Sequence, residues 1–285
     1  ASLPCLLVGF SNDDLTHRLM LEGKVTGFPW YALYDFTPPG MPASAMVAEG
    51  SFPWFTNPEL SLRFLRPAAS ATLALDHVLF GRAALPAHLQ SLLWLAALVV
   101  IVSLLYRRWF AAPAAGVSAI VYALSCVHAM PTAWLASRHT LVSATFGALA
   151  LWSWARWREE RFERGGVLAL ACLALSLLAG ESGLVAVVLL VSYELGARGS
   201  GRGLRGAALP LSVGLAYLGF YALAGYGARG SAFYLSPFSA PLAYTVAALQ
   251  GVPALGVELL LGLPSGLSWF GGSTGIAVFA GLGLL

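Results

Sequence analysis

The sequence predicts an all-α, polytopic transmembrane helical protein with a large outer first loop carrying interfacial helices. Three observations carry that expectation. Of 285 residues, 58% are hydrophobic and only 10% charged, with a mean hydropathy of +0.76, whereas a soluble domain carries about 25% charged residues. Apolar runs recur along the chain, several near the roughly 20 residues that a bilayer-spanning helix needs. The arginines gather in short stretches between those runs.

The net charge is +3, and 15 of the 16 basic residues are Arg. No basic stripe interleaved with aromatics occurs, so the sequence predicts no nucleic-acid partner. Cys5, Cys126 and Cys172 lie in apolar stretches, in no Cys-x-x-Cys arrangement. They read as small hydrophobes and say nothing about redox compartment.

Ala1–Phe10 is apolar and stops at Ser11-Asn12-Asp13-Asp14. It is too short to span a bilayer and lacks the basic leader of a signal peptide. It reads as the exit of a helix that begins earlier. Gly275–Leu285 stops inside an apolar run, so the chain is expected to be truncated at both ends of a single membrane domain over 1–285. Residues 11–85 hold seven of the 13 acidic residues. They read as a first extracytoplasmic loop with short amphipathic pieces such as Pro58–Phe80.

About eight further spans are expected over 86–285. The first three are Pro86–Tyr106, ended by Arg107-Arg108, then Ala111–Met130 and His139–Trp157. The 30-residue apolar run 166–195 is broken by Gly180-Glu181-Ser182-Gly183. Arginines flank it on both sides, so it is expected to cross twice as a helix pair with Glu181 at the turn. Gly206–Tyr226, Pro241–Leu261 and Leu267–Leu285 complete the set. The short loops 107–108, 156–164 and 198–205 hold nine of the 16 basic residues. The positive-inside rule makes these loops cytoplasmic and puts the first long loop in the periplasm, or in the lumen of a eukaryotic organelle.

With that topology, isolated polar residues share the outer face: Asp13, Asp14, Arg66, His88, His128, Arg138, His139, Glu181 and Ser182. Ionisable groups at such places are costly and often functional. Asp13-Asp14 reads either as a water-facing helix-end pair or as a catalytic carboxylate or metal ligand. Arg66 is either an interfacial arginine or a guanidinium fork for a phosphate. His88 and His128 read more readily as satisfied helix-end histidines, since their spacing fits no zinc motif. Glu181, an acid between two apolar segments, demands a reason. Trp30, Trp54, Trp134, Trp152, Trp154 and Trp157 read mostly as interfacial belt.

Several of these stretches occur in an order that resembles a family. They are Asp13-Asp14, then Phe64-Leu65-Arg66-Pro67, Leu79-Phe80-Gly81 and His88-Leu89. Val127 through Arg138 and Leu177-Leu178-Ala179-Gly180-Glu181-Ser182 follow. Together they resemble the membrane half of GT-C glycosyltransferases. The nearest branch is that of the transmembrane and tetratricopeptide-repeat O-mannosyltransferases and their bacterial relatives. The resemblance covers roughly residues 1–200. It implies a polyprenyl-phosphate-linked sugar as donor, an acceptor hydroxyl and a membrane-lipid setting. It also implies catalysis by Asp13 or Asp14, with Arg66, His88, His128, Arg138 and Glu181 around the substrate. No cofactor is implied, and a divalent metal is optional. The implied location is a bacterial inner membrane with a periplasmic active face. Two departures stand out. Ser125-Cys126-Val127-His128-Ala129-Met130 lacks the first His and the Glu of a His-Pro-x-His-x-Glu pattern, and Gly180 stands where a Lys precedes the turn acid. The competing expectation is a non-catalytic subunit of a larger complex. A transporter fits less well, because no inverted repeat or mid-membrane charge pair appears.

Overall fold

The computed structural model describes residues 2–25, 27–196, 203–231, 234–235 and 240–261, with side chains described to residue 257. In chain order its elements are α1 (Asp13–Leu21), α2 (Ala43–Ala48), β1 (Ser61–Arg63), α3 (Pro67–Phe80), α4 (Ala84–Trp109), α5 (Ala112–Leu124), α6 (Ala129–Ala133), α7 (His139–Glu160), α8 (Gly165–Ala179), α9 (Leu184–Gly196), α10 (Leu204–Leu223), β2 (Gly227–Arg229) and α11 (Pro241–Leu261). Helix dominates, as the composition predicts. The expected span Leu267–Leu285 lies outside the described residues.

Helix α7 is the axis of the bundle, packed against α4, α8 and α9. Its residues explain why it is the least apolar of the long helices. Leu141, Val142, Ala150 and Trp154 are buried. Ser143 and Thr145 are buried too, and find partners inside. Ser143 Oγ donates to the Ser176 carbonyl at 3.0 Å, and Ser176 Oγ donates back to the Ser143 carbonyl at 2.7 Å. Reciprocal bonds of this kind join helices that are packed through small residues.

The run 166–195 folds back on itself as expected. Gly180, at the end of α8, lies against the His139 ring, while Glu194 near the end of α9 accepts from Trp154 Nε1 at 2.8 Å and Arg158 Nε at 2.7 Å. Both flanks of the pair therefore sit at the Arg158 end of α7. A tight turn over Glu181–Gly183 joins the two helices. At Gly183 an added Cβ would lie 2.6 Å from the Ser176 carbonyl carbon, so the turn closes only on a residue without a side chain. Helix α10 then runs back toward the His139 end, where Tyr221 reaches Glu181. At the opposite end Arg108 bonds Glu159 and Glu160, and Arg156 bonds Glu160.

Among the described residues two single helices, α4 and α10, are long and apolar enough to cross a membrane. The expected second span, Ala111–Met130, is present as a bent pair of helices that together are long and apolar enough for one span. Helix α5 stops at Leu124, and the chain bends by 43° before the short helical stretch Cys126–Ala133. Ser125 adopts an extended conformation at that break. The outward faces are apolar: Leu93, Val100, Val117, Ile120, Val188 and Leu215 are all exposed.

Residues 11–85 form a packed layer over the His139 end of the bundle, which is more order than the expected loop with amphipathic pieces. Met20, Leu33, Tyr34, Leu73, Ala87 and Leu135 make its core. The stretch expected to be one amphipathic piece, Pro58–Phe80, is instead strand β1 followed by α3. Strand β1 pairs antiparallel with β2, Ser61 opposite Arg229 and Arg63 opposite Gly227. Arg63 forks onto Asp35 at 2.9 Å and donates to the Ala224 carbonyl at 3.0 Å. Ala1–Phe10 is corrected as well. Leu3–Leu7 is a single 3-10 turn packed on α4 and α6, with extended backbone after it.

Gly183→Ala should lower unfolding stability by about 1–3 kcal/mol, the usual cost of overpacking. Gly219→Ala, a helical position whose added Cβ meets nothing within 4 Å, should be neutral or stabilising by up to about 1 kcal/mol. Thermal unfolding in detergent micelles checks both. Equal behaviour of the two variants would contradict the close turn.

Candidate active site

The layer and the bundle enclose a cavity of about 500 Å³. Asp13, Thr16, Arg66, Ser137 and His139 supply its polar lining, and Tyr34, Phe36, Phe64 and Trp134 are among its aromatic walls. Asp13 and Asp14 open α1, directly after Asn12, whose φ of +46° is uncommon for a residue with a side chain. That turn separates the two acids. Asp14 is buried and accepts the Ala136 N–H at 2.6 Å and the Ser11 N–H at 3.1 Å. Asp13 is half-buried and faces the cavity. Burial pushes its carboxyl above the usual carboxylate range, and the neighbouring Asp14 charge adds to the rise. Burial raises Asp14 too, against the hydrogen bonds that favour its charge. One acid is thus a fastener for the Leu135–Ala136 turn, and the other is open to a ligand.

Arg66 stands at the mouth of α3, with Pro67 in the first turn. A cation there is opposed by the helix dipole and needs compensation. Glu181 supplies it, accepting from Arg66 Nε at 2.8 Å and Nη2 at 2.7 Å. The guanidinium also lies over the rings of Phe64 and Tyr34, 4.5 and 5.1 Å from their centroids. Tyr221 donates to the second Glu181 oxygen at 2.9 Å. The reason Glu181 demanded is therefore an ion pair across the two layers.

Arg138 is corrected. It was expected to face a phosphate, but it is 1% exposed and sealed inside. It donates to Asp76 Oδ2 at 2.5 Å, Ser91 Oγ at 2.9 Å and the Ala87 carbonyl at 2.6 Å, and also to Gln90 Oε1. A guanidinium has five directional donors, and four of them are spent on these internal partners, in a side chain that does not line the cavity. His88 is likewise internal: its Nδ1 lies 3.0 Å from the Thr132 carbonyl. His128 is buried with Nε2 2.8 Å from the Tyr122 carbonyl, its ring edge-on to Tyr122. His128 is the satisfied helix-end histidine that the sequence favoured, His88 is partnered at Nδ1 alone with Nε2 left unpaired, and neither lines the cavity. Glu181 and Arg138 share one end of the bundle without sharing a site.

The sequence put His139 on the outer face without assigning it to the site, and it misplaced two tryptophans and passed over His17. His139 begins α7 and lines the cavity beside Arg138, its ring edge-on to Tyr34. Trp134, expected in an interfacial belt, is a cavity wall. Trp154, expected there too, is 1% exposed and belongs to the bundle core. His17 is buried between Tyr34 and Phe36, its pKa pushed down by burial to about 3. The available signal was the polar string Ser137-Arg138-His139-Thr140 opening an apolar helix. It says that a site is near without saying which member faces it. Among the described residues no group of three or more His, Cys, Asp or Glu side chains is arranged around a metal position.

No protein-family model, curated protein or solved structure matches the chain.

Asp76→Ala strands the Arg138 charge inside the protein and should cost about 3–5 kcal/mol. Asp13→Asn should leave stability within about 0.5 kcal/mol, as for a position with no such role. Denaturant unfolding of the purified protein measures both. A mild Asp76→Ala variant would show that Arg138 is not held as a buried ion pair.

Proposed function

We propose that the chain is a membrane glycosyltransferase that moves a sugar from a polyprenyl-phosphate carrier to an acceptor hydroxyl. The observation that carries this reading is the meeting of Asp13 and Arg66 on one cavity. The first is a carboxylate open to a ligand, and the second a guanidinium fork suited to phosphate. In this reading α4, α5 with its bent continuation, α7, α8, α9, α10 and α11 cross the bilayer. The apolar outward faces support that immersion. The arginine-rich end is cytoplasmic by the positive-inside rule, which puts the cavity on the periplasmic side of a bacterial inner membrane.

A second cavity, of about 570 Å³, supports the lipid carrier. It is an apolar groove between α4, α5, α7 and α9, with Leu98, Val102, Ala148, Leu151 and Leu189 among its walls. Its upper rim includes Thr140 and Ser182, the sequence neighbours of His139 and Glu181. An isoprenoid chain lying there would bring its phosphate toward Arg66.

The chemistry is a single displacement. Asp13 takes the proton of the acceptor hydroxyl, and the hydroxyl oxygen bonds to the anomeric carbon. The bond from that carbon to the phosphate oxygen breaks, and the phosphate leaves with the electron pair. Arg66 offsets the charge that develops on the leaving oxygen. Burial helps Asp13, because a base works best with its pKa near the working pH. Glu181 and Tyr221 hold the Arg66 fork in position for the phosphate.

The internal neutralisation of Arg66 by Glu181 favours one other reading, a non-catalytic membrane subunit. Activity separates the two. With reconstituted protein and a panel of polyprenyl-phosphate sugars, Asp13→Asn should lower transfer at least about a hundredfold, since general base catalysis contributes 10²–10⁴-fold. Asn keeps the size but cannot accept the proton. The wild-type rate should rise with pH through a pKa above the ordinary Asp value of about 3.9. An Asp13→Asn protein with full activity would leave the subunit reading standing.

The orientation has its own check. In a variant with the native cysteines replaced, Ser44→Cys should react with an impermeant maleimide in intact cells, and Glu163→Cys should not. Both positions are exposed. The reverse pattern would place the cavity in the cytoplasm and remove the periplasmic assignment.

A further inference from the structure

Among the described residues nine buried side-chain nitrogen or oxygen atoms have no hydrogen-bond partner. The residues that bear them are scattered through the interior, but two of them, Trp134 with an unpaired Nε1 and His139 with an unpaired Nδ1, are among the side chains that line the 500 Å³ cavity. A buried donor left unpaired is costly, and it is tolerated where something else supplies the acceptor. Both residues belong to the same short stretch. Trp134 ends α6, His139 begins α7, and Ser137 between them also lines the cavity. The stretch is fixed from two sides. Asp14 holds the Ala136 N–H, and Tyr34 Oη donates to the Ala136 carbonyl at 2.6 Å. These unpaired atoms are therefore presented by a clamped backbone, and no local rearrangement of that turn satisfies them cheaply.

The lining has the chemistry of a sugar site. Pyranoses offer C–H faces to aromatic rings and hydroxyls at the ring edge. Here rings of Tyr34, Phe36, Phe64 and Trp134 alternate with a carboxylate, a serine, a threonine and an imidazole. We propose that Trp134 and His139 form the subsite that recognises the sugar of the carrier. The Trp134 indole N–H donates to a sugar oxygen, and His139 bonds a second hydroxyl. This inference rests on the lipid-phosphate reading above and adds what reads the sugar. Arg66 recognises the phosphate, which every carrier has. The 134–139 turn recognises what differs between carriers.

The test is equilibrium binding to the full chain in nanodiscs, with two sets of probes: bare polyprenyl phosphate, and polyprenyl phosphates loaded with mannose, glucose or galactose. The wild type should bind one loaded lipid at least about tenfold more tightly than the bare one, the worth of a hydrogen bond or two. Trp134→Phe keeps an aromatic ring and removes the N–H. It should erase about tenfold of that preference and leave bare-lipid binding unchanged. His139→Gln should do the same, and it covers the case in which the tryptophan variant fails to fold. An undiminished preference in both variants, or equal weakening of bare and loaded lipids, overturns the sugar subsite while leaving the lipid-phosphate reading intact. Failure of the wild type to bind any of these lipids overturns both.

Discussion

Arg138 is a full positive charge in the driest part of the protein, and the arrangement of the outer layer follows from how that charge is satisfied. It takes Asp76 from α3, and Ala87, Gln90 and Ser91 from the first turns of α4. Removing a guanidinium from water is expensive, and the expense is offset only if nearly every donor is matched. The match requires α3, α4 and the start of α7 to meet at one point. Once they do, the turn before α7 has little freedom, and the residues on either side of Arg138 in sequence, Ser137 and His139, are directed to the cavity. A buried charge that does not line the cavity thus fixes the placement of groups that do.

The same logic separates what was legible in the sequence from what was not. Helix α4 was legible because nothing interrupts its apolar run between Pro86 and Arg107. The α8–α9 pair was legible because arginines on both flanks forced the chain to return. Helix α7 was legible as a helix, although its Ser143, Thr145 and Ser153 dilute the apolar signal; they are buried and face other helices. The strands were not legible. Three-residue strands pair across the sequence, Ser61–Arg63 with Gly227–Arg229, and neither carries a pattern long enough to announce itself.

The site residues divide in the same way. Composition and topology put polar residues at one end of the bundle, and that is where they lie. Whether each faces outward or inward depends on partners far away in sequence. Asp14 differs from Asp13 because the Ala136 N–H, 122 residues on, claims it together with the nearby Ser11 N–H. Arg66 differs from Arg138 because its counter-charge, Glu181, is partly exposed, whereas Asp76 is buried. A periodicity argument sees one helix at a time, and these assignments are made between elements.

The short β1–β2 ladder has a mechanical consequence. Strand β1 ends at Arg63, and Arg66 follows three residues later on a chain already held at Asp35 and Ala224. Strand β2 follows α10 after a tight turn over residues 224–226, closed by the Tyr226 N–H on the Tyr221 carbonyl. The guanidinium fork and the top of α10 are therefore coupled as if by a short stiff rod. Tyr221, one turn below on α10, grips the carboxylate that faces the same fork. A shift of α10 along its axis would load both ends of the Arg66–Glu181 pair together. The strength of that pair then depends on where the helix stands as well as on what occupies the cavity.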